Sequence, residues 1–430
     1  MPQNYYFPLK HEKAASETSF WGNLAAFLIS TLFLLMAHRS GLQNVVYLFM
    51  LYACLLTFFQ TCFECIFFEK TCLLSRLKVY RKVNYMRVLY KETAFLVTIA
   101  VIGALYWVIP MYHMQNFDQE YFAFLKILVI SMLLLSVPYF CLMDKLDPEP
   151  DDIYYHLGYA ITHFKKKVTR FELANYVRSW LVKAFWLALM QPAMANNINW
   201  FMNLSDNFSN SKMLHIILSA GSFCFFIDLA YASTGYLMNL KLFNAQTRTA
   251  EPTLLGWGVA IMCYWPFWDI LFYPYFFDYN RVGWQNIFAL HSPIWWIWFA
   301  MIVLLELLYA LATVSAGIRF SNLTYRGLWN TGPYKYTKHP AYVFKNISWW
   351  LAAMPFMASS PALALKLSIL LFGNNIIYYL RAKTEERHLS HYPEYMEYAL
   401  MMNDKSIFRF MGKIFPFLKY KPLLKKDRIF

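Results

Sequence analysis

"SWWLAAMPFMASSPALALKLSILLFG", residues Ser348 to Gly373, holds two apolar runs with one abrupt break, Ser359-Ser360-Pro361. Proline fixes its own φ and lacks a backbone donor, so two serines before a proline read as the turn between two helices. The runs on either side extend to about 342–358 and 362–380 and are each long enough to be read as crossing a bilayer. Joined by so short a turn, they form a hairpin whose far ends lie side by side.

The rest of the chain repeats this pattern. Apolar runs at about 20–37, 45–67, 93–111, 122–143, 179–196, 213–238, 254–277 and 288–315 bring the expectation to about ten transmembrane helices. Only 15% of the 430 residues are charged, against roughly 25% in soluble domains, so an all-α polytopic helical membrane protein is the expected class. The N-terminal "MPQNYYFPLKHEK" lacks the short apolar core and cleavage site of a signal peptide, and the first span is read as a retained anchor.

The formal charge of +14 is scattered between apolar blocks and forms no basic stripe. It reads as topology and headgroup charge, and nucleic acid is not an expected partner. Basic residues concentrate in "EKTCLLSRLKVYRKVNYMRVLYKE", in "HFKKKVTRFE", after the sixth span and at Lys335 and Lys338. Alternate loops are poor in them, so these segments and both termini are expected on the cytoplasmic side.

Three other features bear on function. Cys62 and Cys65 form a CxxC without a second pair or nearby histidine, and read as ordinary membrane-helix cysteines with no metal site. "MDKLDPEPDDIYYHLG" gathers Asp144, Asp147, Glu149, Asp151 and Asp152 but lacks the turn glycine of a calcium loop; a solvated acidic loop beside "KKK" is expected. "NAQTRTAEPTLLGW" either contacts a headgroup through Arg248 and Glu251 or is a capped connection.

The chemistry concentrates at the open end of the hairpin. "NTGPYKYTKHPAYVFKN", Asn330 to Asn346, enters the ninth span, and "RAKTEERHLSHYPEYMEYA", from Arg381, leaves the tenth. On a helix Arg381, Glu385 and His388 share one face, with Glu386 beside them. Carboxylates, imidazoles and phenols gathered under membrane helices suit a polar, partly cationic cofactor bearing a ribose and an aromatic base. Ion pairs and interfacial tyrosines without a ligand are the structural alternative.

These two segments resemble the "G-x-Y-R-Y-x-R-H-P-x-Y" and "R-x-x-x-E-E-x-x-L" patterns of the isoprenylcysteine carboxyl methyltransferase and phospholipid N-methyltransferase superfamily, over roughly residues 300–400. With "EPTLLGW" and "RFSNLTYRG" the chain is also similar to bacterial isoprenylcysteine methyltransferase-like membrane proteins. The resemblance implies an integral membrane methyltransferase using S-adenosyl-L-methionine on a lipid or lipid-attached acceptor, by carboxylate O-methylation or amine N-methylation. It implies cofactor contacts at His339, Pro340, Tyr342, Glu385 and Glu386, with Gly332 and Tyr334 shaping the loop and Arg381 approaching the acceptor. Lys338, Phe344 and Pro393 depart from the family's usual arginine and glycines, and Lys345 and Asn346 have no counterpart.

Polar side chains within the spans, Asp228, Asp269, Glu306, Asn374 and Asn375, are candidates for the acceptor route or for inter-helix hydrogen bonds. Asn375, with Arg381 and Glu386, is the favoured catalytic set. Residues 1–200 are expected to form a transmembrane scaffold or acceptor-binding region and 201–430 the catalytic region. The expected location is the bacterial inner membrane, or the endoplasmic reticulum in a eukaryote, with membrane lipids as partners and the site facing the cytoplasm. An NADPH-dependent lipid or sterol-type reductase is the first rival and a non-enzymatic transporter the second; the absence of an internal repeat weighs against the latter.

Overall fold

The computed structural model describes residues 16–67, 77–109, 119–164, 168–207, 213–271, 284–289 and 292–422. It is all-α apart from one two-residue strand pair. The helices that build it are α1 (Phe20–Arg39), α2 (Val45–Phe67), α3 (Tyr85–Val108), α4 (Gln119–Leu146), α5 (Ile153–His163) and α6 (Arg170–Asn207). They continue with α7 (Met213–Leu237), α8 (Leu254–Ile261), α9 (Pro293–Ala316), α10 (Pro340–Ala353), α11 (Pro361–Leu389) and α12 (Pro393–Lys405). Strands β1 (Thr249–Ala250) and β2 (Thr324–Tyr325) pair antiparallel, Thr249 opposite Tyr325.

Among the described residues six helices are long and apolar enough to cross a membrane: α1, α2, α3, α4, α9 and α11. Their outward faces carry large apolar side chains such as Leu28, Leu32, Leu134 and Leu135, which suit lipid rather than water. Multi-pass membrane architecture follows.

Two expected spans do not form full-length membrane helices. The apolar run from 254 stops as a helix at Ile261 and turns through Met262–Pro266 before a short helical piece, Phe267–Leu271. Irregular backbone at membrane depth is tolerated where it borders a protein cavity, and Tyr264, Trp265 and Trp268 do so here. The expected span at 342–358 is α10, whose 14 residues reach about 21 Å, short of the roughly 30 Å hydrocarbon core. It ends where Met354 enters the left-handed region ahead of Pro355.

Elsewhere a helix outruns its expectation. The amide-rich stretch expected as a loop after residue 196 remains helical to Asn207, because Ile198 and Met202, one turn apart, bury a common stripe in the core. The acidic segment is only partly solvated, with Glu149 and Asp151 exposed. Asp144 and Asp147 are buried; Arg87 bridges Asp144 at 2.9 Å and Asp151 at 2.8 Å, Lys91 bridges Asp152 at 2.8 Å, and Lys241 pairs with Asp147. Arginine and lysine from α3 and the segment after α7 thus take the part expected of "KKK", which lies outside the described residues. Cys65 is disulfide-bonded and Cys62 free, so the two are not equivalent helix thiols and do not pair with each other.

The N-terminal helices fasten the end of α9 and the loop that follows it. Asn23 of α1 donates to the Val314 carbonyl at 2.8 Å. Gln60 of α2 accepts from the Ile318 amide at 3.0 Å, and Glu64 forms a two-pronged buried pair with Arg319. Arg326, fully buried, donates to the carbonyls of Gly235 and Phe320 at 2.9 Å and of Ile318 at 3.2 Å. Two arginines therefore satisfy backbone acceptors and one acid that would otherwise be buried alone.

Candidate active site

The expected hairpin is present. Helix α11 begins with Ser360 accepting from the Leu363 amide and Pro361 in its first turn, and runs back antiparallel to α10. At mid-length Asn375 accepts from the Trp350 indole at 2.8 Å and donates to Asn346. Asn375 thus ties the two helices together, as an inter-helix hydrogen bond, and it is not among the residues lining the cavity described below.

At the open end the two motifs meet. The Tyr342 hydroxyl donates to Glu385 at 2.7 Å, and the His339 ring stacks on Tyr342 with centroids 5.5 Å apart. Glu386, the next residue, turns the other way. It is bridged by Lys338 and by Lys383, each at 2.7 Å, and lies 3.3 Å from His339 Nε2. The two glutamates differ by about 100° around the helix, and only Glu385 lines the cavity.

That cavity, about 780 Å³, lies within the range of roughly 300–1,000 Å³ typical of ligand sites. Its polar end is bordered by Tyr334, His339, Tyr342, Arg381, Glu385 and His388, and its apolar wall by Trp268, Trp349, Ala352 and Leu371. Arg381 is packed against aromatic faces, 4.9 Å from the Tyr342 centroid, 5.6 Å from Tyr264 and 5.9 Å from Tyr378. It donates to Asn322, which in turn donates to the hydroxyls of Tyr236 at 2.8 Å and Tyr264 at 2.9 Å.

The strand pair closes one side. Asn175 of α6 bonds both the Ala250 amide and the Arg248 carbonyl, holding β1 in place. Tyr325 of β2 stacks on Tyr392 with centroids 3.7 Å apart and donates to Glu394 at 2.6 Å. Glu251, almost fully buried, accepts from Arg387 at 3.0 Å and borders the cavity. Of Arg248 and Glu251 in "NAQTRTAEP", Glu251 is therefore at the site. Arg248 is instead held by Glu17 through two hydrogen bonds, at 2.8 and 2.5 Å.

Electrostatics at the polar end favour neutral phenols and a shielded lysine. Burial pushes the Tyr334 hydroxyl well above its ordinary value, with Glu385 adding to the effect. Burial also pushes the Lys338 ammonium down, against the opposing pull of Glu386.

Gly332 and Pro340 support the site without bordering the cavity. Gly332 has φ +58°, and a Cβ there would sit 2.5 Å from both Phe20 and Ser315 Oγ. Gly332→Ala is accordingly expected to cost more than about 1 kcal/mol, read as a lowered thermal midpoint in detergent. An unchanged midpoint would show that the loop relaxes freely. Pro340 opens α10 at a position where its missing N–H is no loss.

Asn322, Tyr264, Tyr325, Tyr395 and Tyr398 also border the cavity and were not singled out from the sequence. The one signal was that "RFSNLTYRG" is polar immediately after an apolar helix.

Residues 297–391 match the model of the Isoprenylcysteine carboxyl methyltransferase (ICMT) family. The match runs from α9 to just past α11 and takes in both motifs. No curated protein and no solved structure matches the chain.

Proposed function

We propose that this protein is an integral membrane methyltransferase that uses S-adenosyl-L-methionine and acts on a lipid or lipid-attached acceptor, at an oxygen or a nitrogen. The observation that carries this reading is one continuous cavity in which the Tyr342–Glu385 pair faces an apolar wall of Trp268, Trp349 and Leu371. A water-soluble cofactor and a greasy acceptor could meet in such a space.

The residues present fit the cofactor. Glu385, 40% exposed at its side chain, offers a carboxylate to ribose hydroxyls or an amine, while Tyr334 offers an aromatic face to a sulfonium or a purine. When bound, the cofactor supplies an electrophilic methyl group. The chain supplies position and dryness: Arg381, fixed by Asn322, orients an acceptor's polar atom, and the surrounding rings keep water out. Glu386 acts as a positioning residue that draws Lys338 and His339 onto α11, and Asn375 sets the spacing of the hairpin.

The distribution of lysine and arginine supports a cytoplasmic site and cytoplasmic termini. Helices α1 and α2 serve as a scaffold, through the contacts of Asn23 with the end of α9 and of Gln60 and Glu64 with the loop after it. Titration of the purified protein with S-adenosylmethionine and, separately, with NADPH is the direct test. Saturable binding of the former is expected, followed by a methyl-group mass gain in lipids incubated with it. Binding of NADPH alone would replace this reading with a reductase.

A further inference from the structure

Among the residues of α10 that line the cavity, Tyr342, Lys345, Trp349 and Ala352 follow one another in order. Their spacing of three, four and three residues places them on one stripe of the helix, running from the polar end inward. The returning helix presents Glu385, Arg381, Tyr378 and Leu371 in the same sense, because it is antiparallel. The cavity therefore has a direction, and Lys345 sits one turn inside its polar edge.

Lys345 is unlike the other charges there. Its ammonium lies over the rings of Tyr309, 4.9 Å to the centroid, and Trp349, 5.2 Å, and among the described residues it makes no hydrogen bond or ion pair. Asp228 and Glu306 attract it through space without contacting it, and each oxygen of Asp228 already accepts a hydroxyl, from Tyr309 and Thr313. Arg381 by contrast is anchored to Asn322, and Glu385 to Tyr342. An ammonium held among rings without a contacting anion is costly, and the cost is offset when an anion enters.

We propose that Lys345 determines acceptor specificity by binding a fixed anionic group, a phosphate ester or a carboxylate, that lies between the acceptor's apolar tail and the atom to be methylated. This builds on the methyltransferase reading above. The tail lies along Trp349, Ala352 and Leu371, the anion at Lys345, and the terminal group beside Arg381 and Tyr342. The methylated atom is thus separate from the anion that selects the substrate.

Single-chain amphiphiles test this in the full-length protein, purified in a neutral detergent. Affinities for dodecyl phosphate, dodecanoate and dodecyltrimethylammonium are measured for the native chain, Lys345→Gln and Lys345→Arg. The native chain and Lys345→Arg are expected to bind at least one of the anions about 10- to 100-fold more tightly than the cation, and Lys345→Gln to lose that preference. The ratio between phosphate and carboxylate identifies which anion the site takes. Equal binding of the cation by the native chain, or an undiminished preference in Lys345→Gln with a native-like thermal midpoint, would overturn the proposal. If Lys345→Gln does not fold, the native chain and Lys345→Arg still decide it. S-adenosylmethionine affinity, measured in parallel, keeps the two readings apart: its absence with the anion preference intact removes the methyltransferase and leaves the anion site.

Discussion

Glu385→Ala is expected to weaken S-adenosylmethionine binding by about ten- to a hundred-fold, the usual loss when a charged hydrogen-bond partner is removed, with little change in thermal midpoint. Glu386→Ala is expected to do the opposite. It removes the one acid shared by Lys338, Lys383 and His339, all mostly shielded from solvent, and should lower stability by about 3 kcal/mol. Cofactor affinity in the fraction that remains folded should change less than in Glu385→Ala. The two side chains are sequence neighbours of identical chemistry, so only their direction from α11 separates them. Calorimetric titration together with thermal unfolding in detergent reads both quantities. Equal losses of binding from both variants, with no difference in midpoint, would mean that the division of labour is wrong.

That division could not be read from the sequence, which makes Glu385 and Glu386 look like a matched pair. What was legible is the meeting of the two motifs. Ser359-Ser360-Pro361 forces the chain back, helical periodicity puts Arg381 and Glu385 on one face, and Tyr342 then finds Glu385 across the hairpin. Local rules reach that far because each step involves only one turn or one helix. They fail where tertiary structure overrides hydropathy. The run "GWGVAIMCYWPFWDI" has the composition of a membrane span, yet its chain opens at Met262–Pro266 because its aromatic side chains are used to wall a cavity. Hydropathy cannot distinguish a side chain facing lipid from one facing an internal space. Nor does any spacing rule connect Glu17 to Arg248 or the acidic segment to Arg87, Lys91 and Lys241; these pairings exist only once the helices have packed.

Among the described residues, the ion pair most remote in sequence carries the second large expected effect. Glu64 and Arg319 are 255 positions apart, and both are buried. Glu64 also accepts from Thr18 at 3.1 Å and Gln60 at 3.0 Å, so its carboxylate is fully engaged as an anion. Arg319→Met leaves that carboxylate without its cation, and removal of one partner from a buried pair costs about 3–5 kcal/mol. The double variant Glu64→Gln/Arg319→Met should recover much of the loss, because a glutamine keeps hydrogen-bonding capacity without the charge. The consequence for the site follows from the chain beyond Arg319. Asn322, which anchors Arg381, and Tyr325, which backs Tyr392, both stand on the segment that Arg319 ties to α2. Loosening that segment should therefore raise the concentration of acceptor needed for turnover before it alters cofactor affinity, since most of the proposed cofactor contacts come from α10 and α11. A single variant that lost cofactor affinity in step with stability, and a double variant that recovered neither, would show instead that the N-terminal helices and the hairpin hold the cavity as one inseparable unit.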